Sequence, residues 1–183
     1  MKTLFACILV LTLTPLLQGQ TTVSLGTGKI TGSVAGLSSA NPNVSGLSAG
    51  ISFDLTITAT SVTTPVLTVT NHNDGIGASG GSEAEIDNRN NLIANDDESL
   101  VFTLSNVTGL TAGQSLRISG IGARSGSGTT TKQYAIYDGT TSVSSGSFTA
   151  MTFAISVPDL TSVKITAAAP TSGTVLNSRF IIN

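Results

Sequence analysis

Seven of the ten acidic residues in this 183-residue chain lie within residues 74–98. They are Asp74, Glu83, Glu85, Asp87, Asp96, Asp97 and Glu98, and Arg89 is the single base among them. Hard cations such as calcium take several oxygen ligands from carboxylates, side-chain amides and backbone carbonyls. This segment offers all three, because Asn71, Asn73, Asn88, Asn90, Asn91 and Asn95 add amide oxygens. Asp74, Asp87, Asp97 and Glu98 are therefore its candidate calcium ligands. The spacing is not that of an EF-hand loop, and there is no nonapeptide repeat. The competing reading is a solvated polar loop whose Asn and Asp side chains cap turns. Glu98 opens an apolar run, so it can equally hydrogen-bond loop amides and fix the loop to a strand.

Other chemistries lack their parts in this sequence. A Ser-His-Asp or Cys-His system needs a base beside its nucleophile. His72 is the one histidine, and no Gly-x-Ser-x-Gly elbow surrounds a serine. A zinc hydrolase needs more histidines. A glycan hydrolase or lyase needs two carboxyls across a groove, which Glu83, Glu85, Asp87 and Glu98 could supply. Sugar-binding grooves also use aromatic platforms, and the chain has no Trp. Phe53, Phe102, Phe148, Phe153 and Phe180 mostly fall at core-facing spacing. Tyr134 and Tyr137 flank Ala135-Ile136 and point to opposite faces of a strand. They are the candidate glycan or partner contacts, one exposed and the other in the core with its hydroxyl at the rim.

The net charge of −2 and the 10% charged content lack the basic footprint of a nucleic-acid binder. A hydrophobic fraction of 39% argues against disorder. Residues 1–19 have the parts of a secretory signal. Lys2 supplies a minimal positive start, residues 4–13 are apolar, Pro15 ends the helix, and Gly19 is a small residue before the cut. The apolar run is half the ~20 residues a spanning helix needs. Cys7, the single cysteine, lies inside that run. Cleavage would leave residues 20–183 as one cysteine-free domain, a pattern commoner among bacterial surface proteins than among small eukaryotic secreted domains. The sequons at Asn43 and Asn106 matter only in a glycosylating host. No later segment is apolar and long enough to span a membrane, and no sorting tail is expected at the C-terminal end.

The elements that must position these residues read as strands. Ile51, Phe53, Leu55 and Ile57 fall on one face of residues 51–58, with Ser, Asp and Thr on the other. Similar alternation is read at 66–70, 99–105, 115–121, 133–137, 148–157, 162–167 and 178–182, with earlier candidates at 22–25 and 29–34. About ten strands, separated by Gly, Ser, Asn and Asp turns, predict an all-β antiparallel β-sandwich wound as a jelly roll. A closed barrel is the alternative. Residues 26–50 and 71–97 read as long irregular loops. Thr56, Thr58 and Thr60 suit a solvent-facing strand row. An ice-binding array would need a fixed repeat, and none is present.

Asp74-Gly75-Ile76-Gly77, Gly80-Gly81, Ile86-Asp87 and the run from Asn95 to Leu104 (Asn-Asp-Asp-Glu-Ser-Leu-Val-Phe-Thr-Leu) resemble a pattern in exported bacterial proteins of the PEP-CTERM type. Arg179-Phe180-Ile181-Ile182 resembles the closing strand of such domains. This chain departs from the type in lacking the C-terminal Pro-Glu-Pro signal, apolar segment and basic tail. The resemblance implies an all-β surface or matrix protein and singles out Asp87 and Glu98. The sequence is thus read as a secreted, non-enzymatic structural or adhesive β-sandwich of the cell surface. Its acidic loop is calcium-tied, and its partner is an extracellular polysaccharide or matrix protein. The alternatives are a carbohydrate-binding module and a small glycan hydrolase or lyase.

Overall fold

The computed structural model describes residues 32–41, 44–61, 67–72, 75–79, 86–88, 98–125, 131–167 and 178–182. The described residues form twelve strands: β1 (Ser33–Ser38), β2 (Ser52–Thr60), β3 (Thr68–His72), β4 (Gly75–Ser79), β5 (Ile86–Asn88), β6 (Ser99–Thr108), β7 (Ile118–Arg124), β8 (Lys132–Asp138), β9 (Thr141–Phe148), β10 (Thr152–Leu160), β11 (Ser162–Ala167) and β12 (Ser178–Ile182). One sheet has the order β1-β2-β6-β11-β8-β9; the other has β10-β7-β12-β4-β3, with β5 also paired to β12. Every strand pair is antiparallel. The two sheets pack face to face as a β-sandwich, as the alternation predicts. Among the described residues no helix is long and apolar enough to cross a membrane.

The alternating strands bury the face their sequence marks. Phe53, Leu55 and Ile57 of β2 point inward, as do Leu100 and Phe102 of β6 and Val163, Ile165 and Ala167 of β11. Each large aliphatic or aromatic side chain so buried contributes about 1.5–3 kcal/mol of transfer free energy. The second sheet answers with Ile76, Ile121, Ala123, Ile155, Phe180 and Ile182. Phe180 is fully buried and meets Phe148 edge-on, with ring centroids 5.7 Å apart. Phe148 and Phe153 stack at 5.2 Å, joining β9 at the edge of one sheet to β10 at the edge of the other. Of the phenylalanines among the described residues, Phe153 departs from the core reading: it is 36% exposed, at the rim of this stack.

Four strands depart from the sequence reading. β1 begins at the end of the candidate strand 29–34 and runs on into the expected loop 26–50, β4 and β5 lie in the expected loop 71–97, and β9 lies between the expected strands 133–137 and 148–157. β4 is glycine-rich, so its alternation is hidden, yet Gly75, Ile76, Gly77 and Ala78 are all buried between neighbouring strands. The run at 148–157 is divided: β9 ends at Phe148 and β10 begins at Thr152 in the other sheet. β9 itself, Thr-Ser-Val-Ser-Ser-Gly-Ser-Phe, has no apolar alternation. It is held by a two-residue turn after Asp138, where Gly139 has φ 59 and Thr140 does not take a positive φ. That is the type II′ pattern, whose twist matches a hairpin. The expected strand at 22–25 and the leader at 1–19 lie outside the described residues.

Two glycines permit close approach. Gly109 has φ 78, and a Cβ there would collide with the backbone carbonyl of Gly50. Gly146, on the inner face of β9, lies under the Tyr134 ring, and a Cβ there would sit 2.7 Å from its hydroxyl oxygen. Gly109→Ala is expected to cost on the order of 2 kcal/mol or more, because backbone must move and φ is left-handed. Gly146→Ala, where a ring can tilt instead, should cost less. Urea midpoints of the two variants against the parent protein check this order.

Candidate functional site

The outer face of the six-stranded sheet carries rows of small hydroxyl side chains broken by Ala135, Val101, Lys164 and Tyr137. Antiparallel register aligns Thr60, Ser99, Thr166, Ala135 and Ser145 in one row across five strands. The next row is Thr58, Val101, Lys164, Tyr137 and Ser142, and a third holds Ser33, Thr56, Thr103 and Ser162. Hydroxyls pair across strands at Ser99–Thr166 (2.7 Å), Ser52–Thr108 (2.9 Å) and Thr103–Ser162 (3.1 Å). Each such pair contributes roughly 1 kcal/mol net. The Ser99–Thr166 pair is buried although it stands on this outer face.

The two tyrosines do point to opposite faces. Tyr134 is 8% exposed and packs in the core beside Phe148 and Phe153, each with its ring centroid at 6.4 Å. Its placement in the core leaves little of the ring to meet a glycan. Tyr137 is half-buried on the hydroxyl face, and the Lys164 ammonium of the neighbouring strand lies 5.0 Å from its ring centroid. This cation–π contact is worth about 0.5–1 kcal/mol and holds the ring in the middle of its row.

At one end of the face stands a residue that sequence reasoning passed over. Asp54 of β2 faces a β-bulge on each side. Between Val34 and Leu37, β1 carries two residues where β2 has Asp54 alone; between Ser105 and Thr108, β6 carries two where β2 has Phe53. The extra residues include Gly36 at φ 69 and Asn106 at φ 49, the one non-glycine residue with positive φ among those described. One carboxylate oxygen of Asp54 accepts from the Gly36 amide at 2.5 Å; the other accepts from the Asn106 side-chain amide at 2.6 Å. Asp54 thus ties three strands through two bulges. The available signal was a lone charge on the polar side of the clearest alternating strand, opposite an Asn in a Ser-Asn-Val-Thr-Gly run.

The acidic segment is only partly within view. Asp74 and Asp97 lie outside the described residues. Asp87 sits in β5, its backbone opposite Arg179 of β12, and Glu98 is a half-buried residue immediately before β6. β5 approaches β6, so Asp87 lies on a strand that meets the strand Glu98 precedes. Among the described residues there is no group of three or more His, Cys, Asp or Glu side chains able to hold a metal. His72 ends β3, its backbone opposite Gly75 of β4. Comparison with protein-family models, with curated proteins and with solved structures found no match for the chain.

The Asn106 amide, and then the Gly36 amide, hold the Asp54 carboxyl below its ordinary value of 3.8, against a smaller opposing effect of desolvation. A carboxyl depressed in the folded state stabilises the fold above its unfolded value, and that contribution is lost as pH falls through the folded value. Asp54→Asn should therefore flatten the loss of stability on acidification below about pH 4. Asn106→Asp should do the reverse. It sets two carboxylates together, so stability at neutral pH falls and partly returns as pH drops towards the range where one protonates. Thermal melts of both variants across an acid pH series check the opposite signs.

Proposed function

We propose that this chain is an exported, non-enzymatic β-sandwich of the bacterial cell surface or extracellular matrix, structural or adhesive in role. The observation that carries this reading is the outer face of the six-stranded sheet. Its rows of Ser and Thr are bonded to one another across strands, and its bulged end is fixed by Asp54. Away from the buried Ser99–Thr166 pair, such a face is nearly neutral and pre-ordered, so contact with a hydrated polymer or matrix protein would require little side-chain ordering. The leader-like residues 1–19 and the resemblance to PEP-CTERM-type domains support export. Calcium binding by Asp74, Asp87, Asp97 and Glu98 belongs to the same proposal. It is supported by the acidic composition of the segment and by the approach of β5 to β6.

Expression in a bacterial host with the native N-terminus is expected to yield a protein outside the cytoplasm whose intact mass corresponds to cleavage near Gly19. Uncleaved protein retained in the cytoplasm overturns the export reading. Calcium that binds the folded state alone stabilises by mass action, about 2.7 kcal/mol at a hundredfold excess over Kd. The melting temperature should accordingly rise by several degrees in millimolar calcium and fall back with chelator. An unchanged melt removes calcium from the proposal.

A second reading, a carbohydrate-binding module, is favoured by one observation: Tyr137 stands half-exposed among hydroxyls with Lys164 beside it. A glycan array should then show binding that Tyr137→Ala abolishes while leaving the melting temperature within a few degrees. An array blank for the parent protein removes this reading.

A further inference from the structure

Among the described residues the two sheets end on β1 and β9 in one and on β3 and β10 in the other, with the three-residue β5 paired to β12 off that path. An edge offers unpaired backbone donors and acceptors, and proteins blunt it with bulges, prolines, charges or short strands. Three of these edges carry such a device. β1 is bent at Ala35-Gly36 and held there by the Asp54 carboxylate. β10 loses register between Ser156 and Leu160, where Pro158 and Asp159 stand. β3 has only five residues.

β9 is different. Residues Thr141–Phe148 include no charge and no proline. Its one irregularity is at Val143, next to the hairpin turn, and from Ser144 to Phe148 it runs in unbroken register against β8. Among the described residues no strand pairs with its other side. A second feature lies at the same place. The exposed large hydrophobic side chains of the described residues are Val143 (38%), Met151 (52%) and Phe153 (36%). All three lie on β9, on its connection to β10, or at the start of β10, along one side of the sandwich. An exposed apolar group beside an open edge marks an interaction surface.

We propose that β9 pairs antiparallel with β9 of a second copy of this chain about a two-fold axis, joining the two six-stranded sheets edge to edge. The edge is complementary to itself. Self-pairing brings no like charges together, because the strand has none. Antiparallel pairing sets the Val143 end of one copy against the Met151 and Phe153 end of the other, so apolar side chains meet at both ends. Between them, Ser145 and Ser147 on the outer face would meet hydroxyls of their own kind. That extends the cross-strand pairing already made by Ser99–Thr166 and Thr103–Ser162. On the inner face Ser144 and Gly146 are too small to obstruct the approach. A two-fold contact of this kind uses the same patch on both copies.

Sedimentation velocity of the exported, purified protein, run from low to high micromolar concentration, tests the proposal. A dimer that dissociates on dilution is expected. The double variant S145K/S147K, which places charges at two exposed positions of the edge, should sediment as a monomer at every concentration with its melting temperature little changed. Hydrogen exchange on the parent protein provides a test that needs no variant: amides of Ser144–Phe148 should exchange several-fold more slowly in the concentrated sample than in the dilute one. A monomer throughout the series overturns the proposal. So does a dimer that survives both lysines, or one whose β9 amides exchange equally at both concentrations.

Discussion

The carboxylate of Asp54 holds the register of β1, β2 and β6 where two bulges reset it. Side chains alternate along a strand, so a slip of one residue exchanges its faces. In β6, Leu100, Phe102 and Leu104 point inward, and unbroken alternation would send Asn106 into the core next. The bulge at Asn106 resets the count: Val107 turns towards the core, and Thr108 pairs with Ser52 on the outside. In β1, Val34 and Leu37 are three apart and would face opposite ways, but the bulge at Ala35-Gly36 lets both pack on the core. Each bulge needs a residue in the left-handed region, which Gly36 takes freely and Asn106 takes better than most side chains. Asp54, lying between them, accepts one hydrogen bond from each. A single anion therefore helps to decide which face of three strands is core.

With the faces fixed, the two sides of the sheet do different work. Inside, the aromatic wall of Tyr134, Phe148, Phe153 and Phe180 seals the side where β9 and β10 lie, and Gly146 is the space that lets the Tyr134 ring lie flat across its neighbour. This explains how a strand as polar as β9 belongs to the core at all: its apolar cover comes from Tyr134 of β8 and from its own terminal Phe148. Outside, hydroxyl pairs add lateral bonds to the backbone ladder. These bonds favour a stiff sheet.

Much of this was legible where a strand carries its own pattern. β2, β6 and β11 alternate clearly in sequence, β12 ends in a short apolar run, and all four lie where the sequence puts them. β4, β5 and β9 were illegible for a physical reason. β4 and β9 are rich in glycine and serine, which carry no alternation signal, and β5 has only three residues, so these strands are specified by the neighbours they pair with. The tyrosine parity was readable because a three-residue offset fixes opposite faces. Which tyrosine lies inside was not, since it is set by Gly146 opposite Tyr134 and by Lys164 opposite Tyr137, both distant in sequence. The acidic cluster stands out because charge is rare in this chain, whereas the acidic residue that ties β1, β2 and β6 together stands alone at Asp54. Local density of charge reports on loops; the partner of a lone charge emerges only when strands come together.

The same asymmetry bears on how the sheet meets other molecules. A sheet with two open edges can add copies at both, and head-to-tail pairing of that kind runs on into a filament. Here the β1 edge is bent by its bulge and fixed by Asp54, while the β9 edge is straight and neutral. A contact at β9 that uses the same strand from both partners consumes the one open edge of each sheet, so growth ends at two copies. Asp54 would then act twice through one pair of hydrogen bonds: it sets which residues face the core, and it keeps the far edge of the sheet from becoming a second point of attachment.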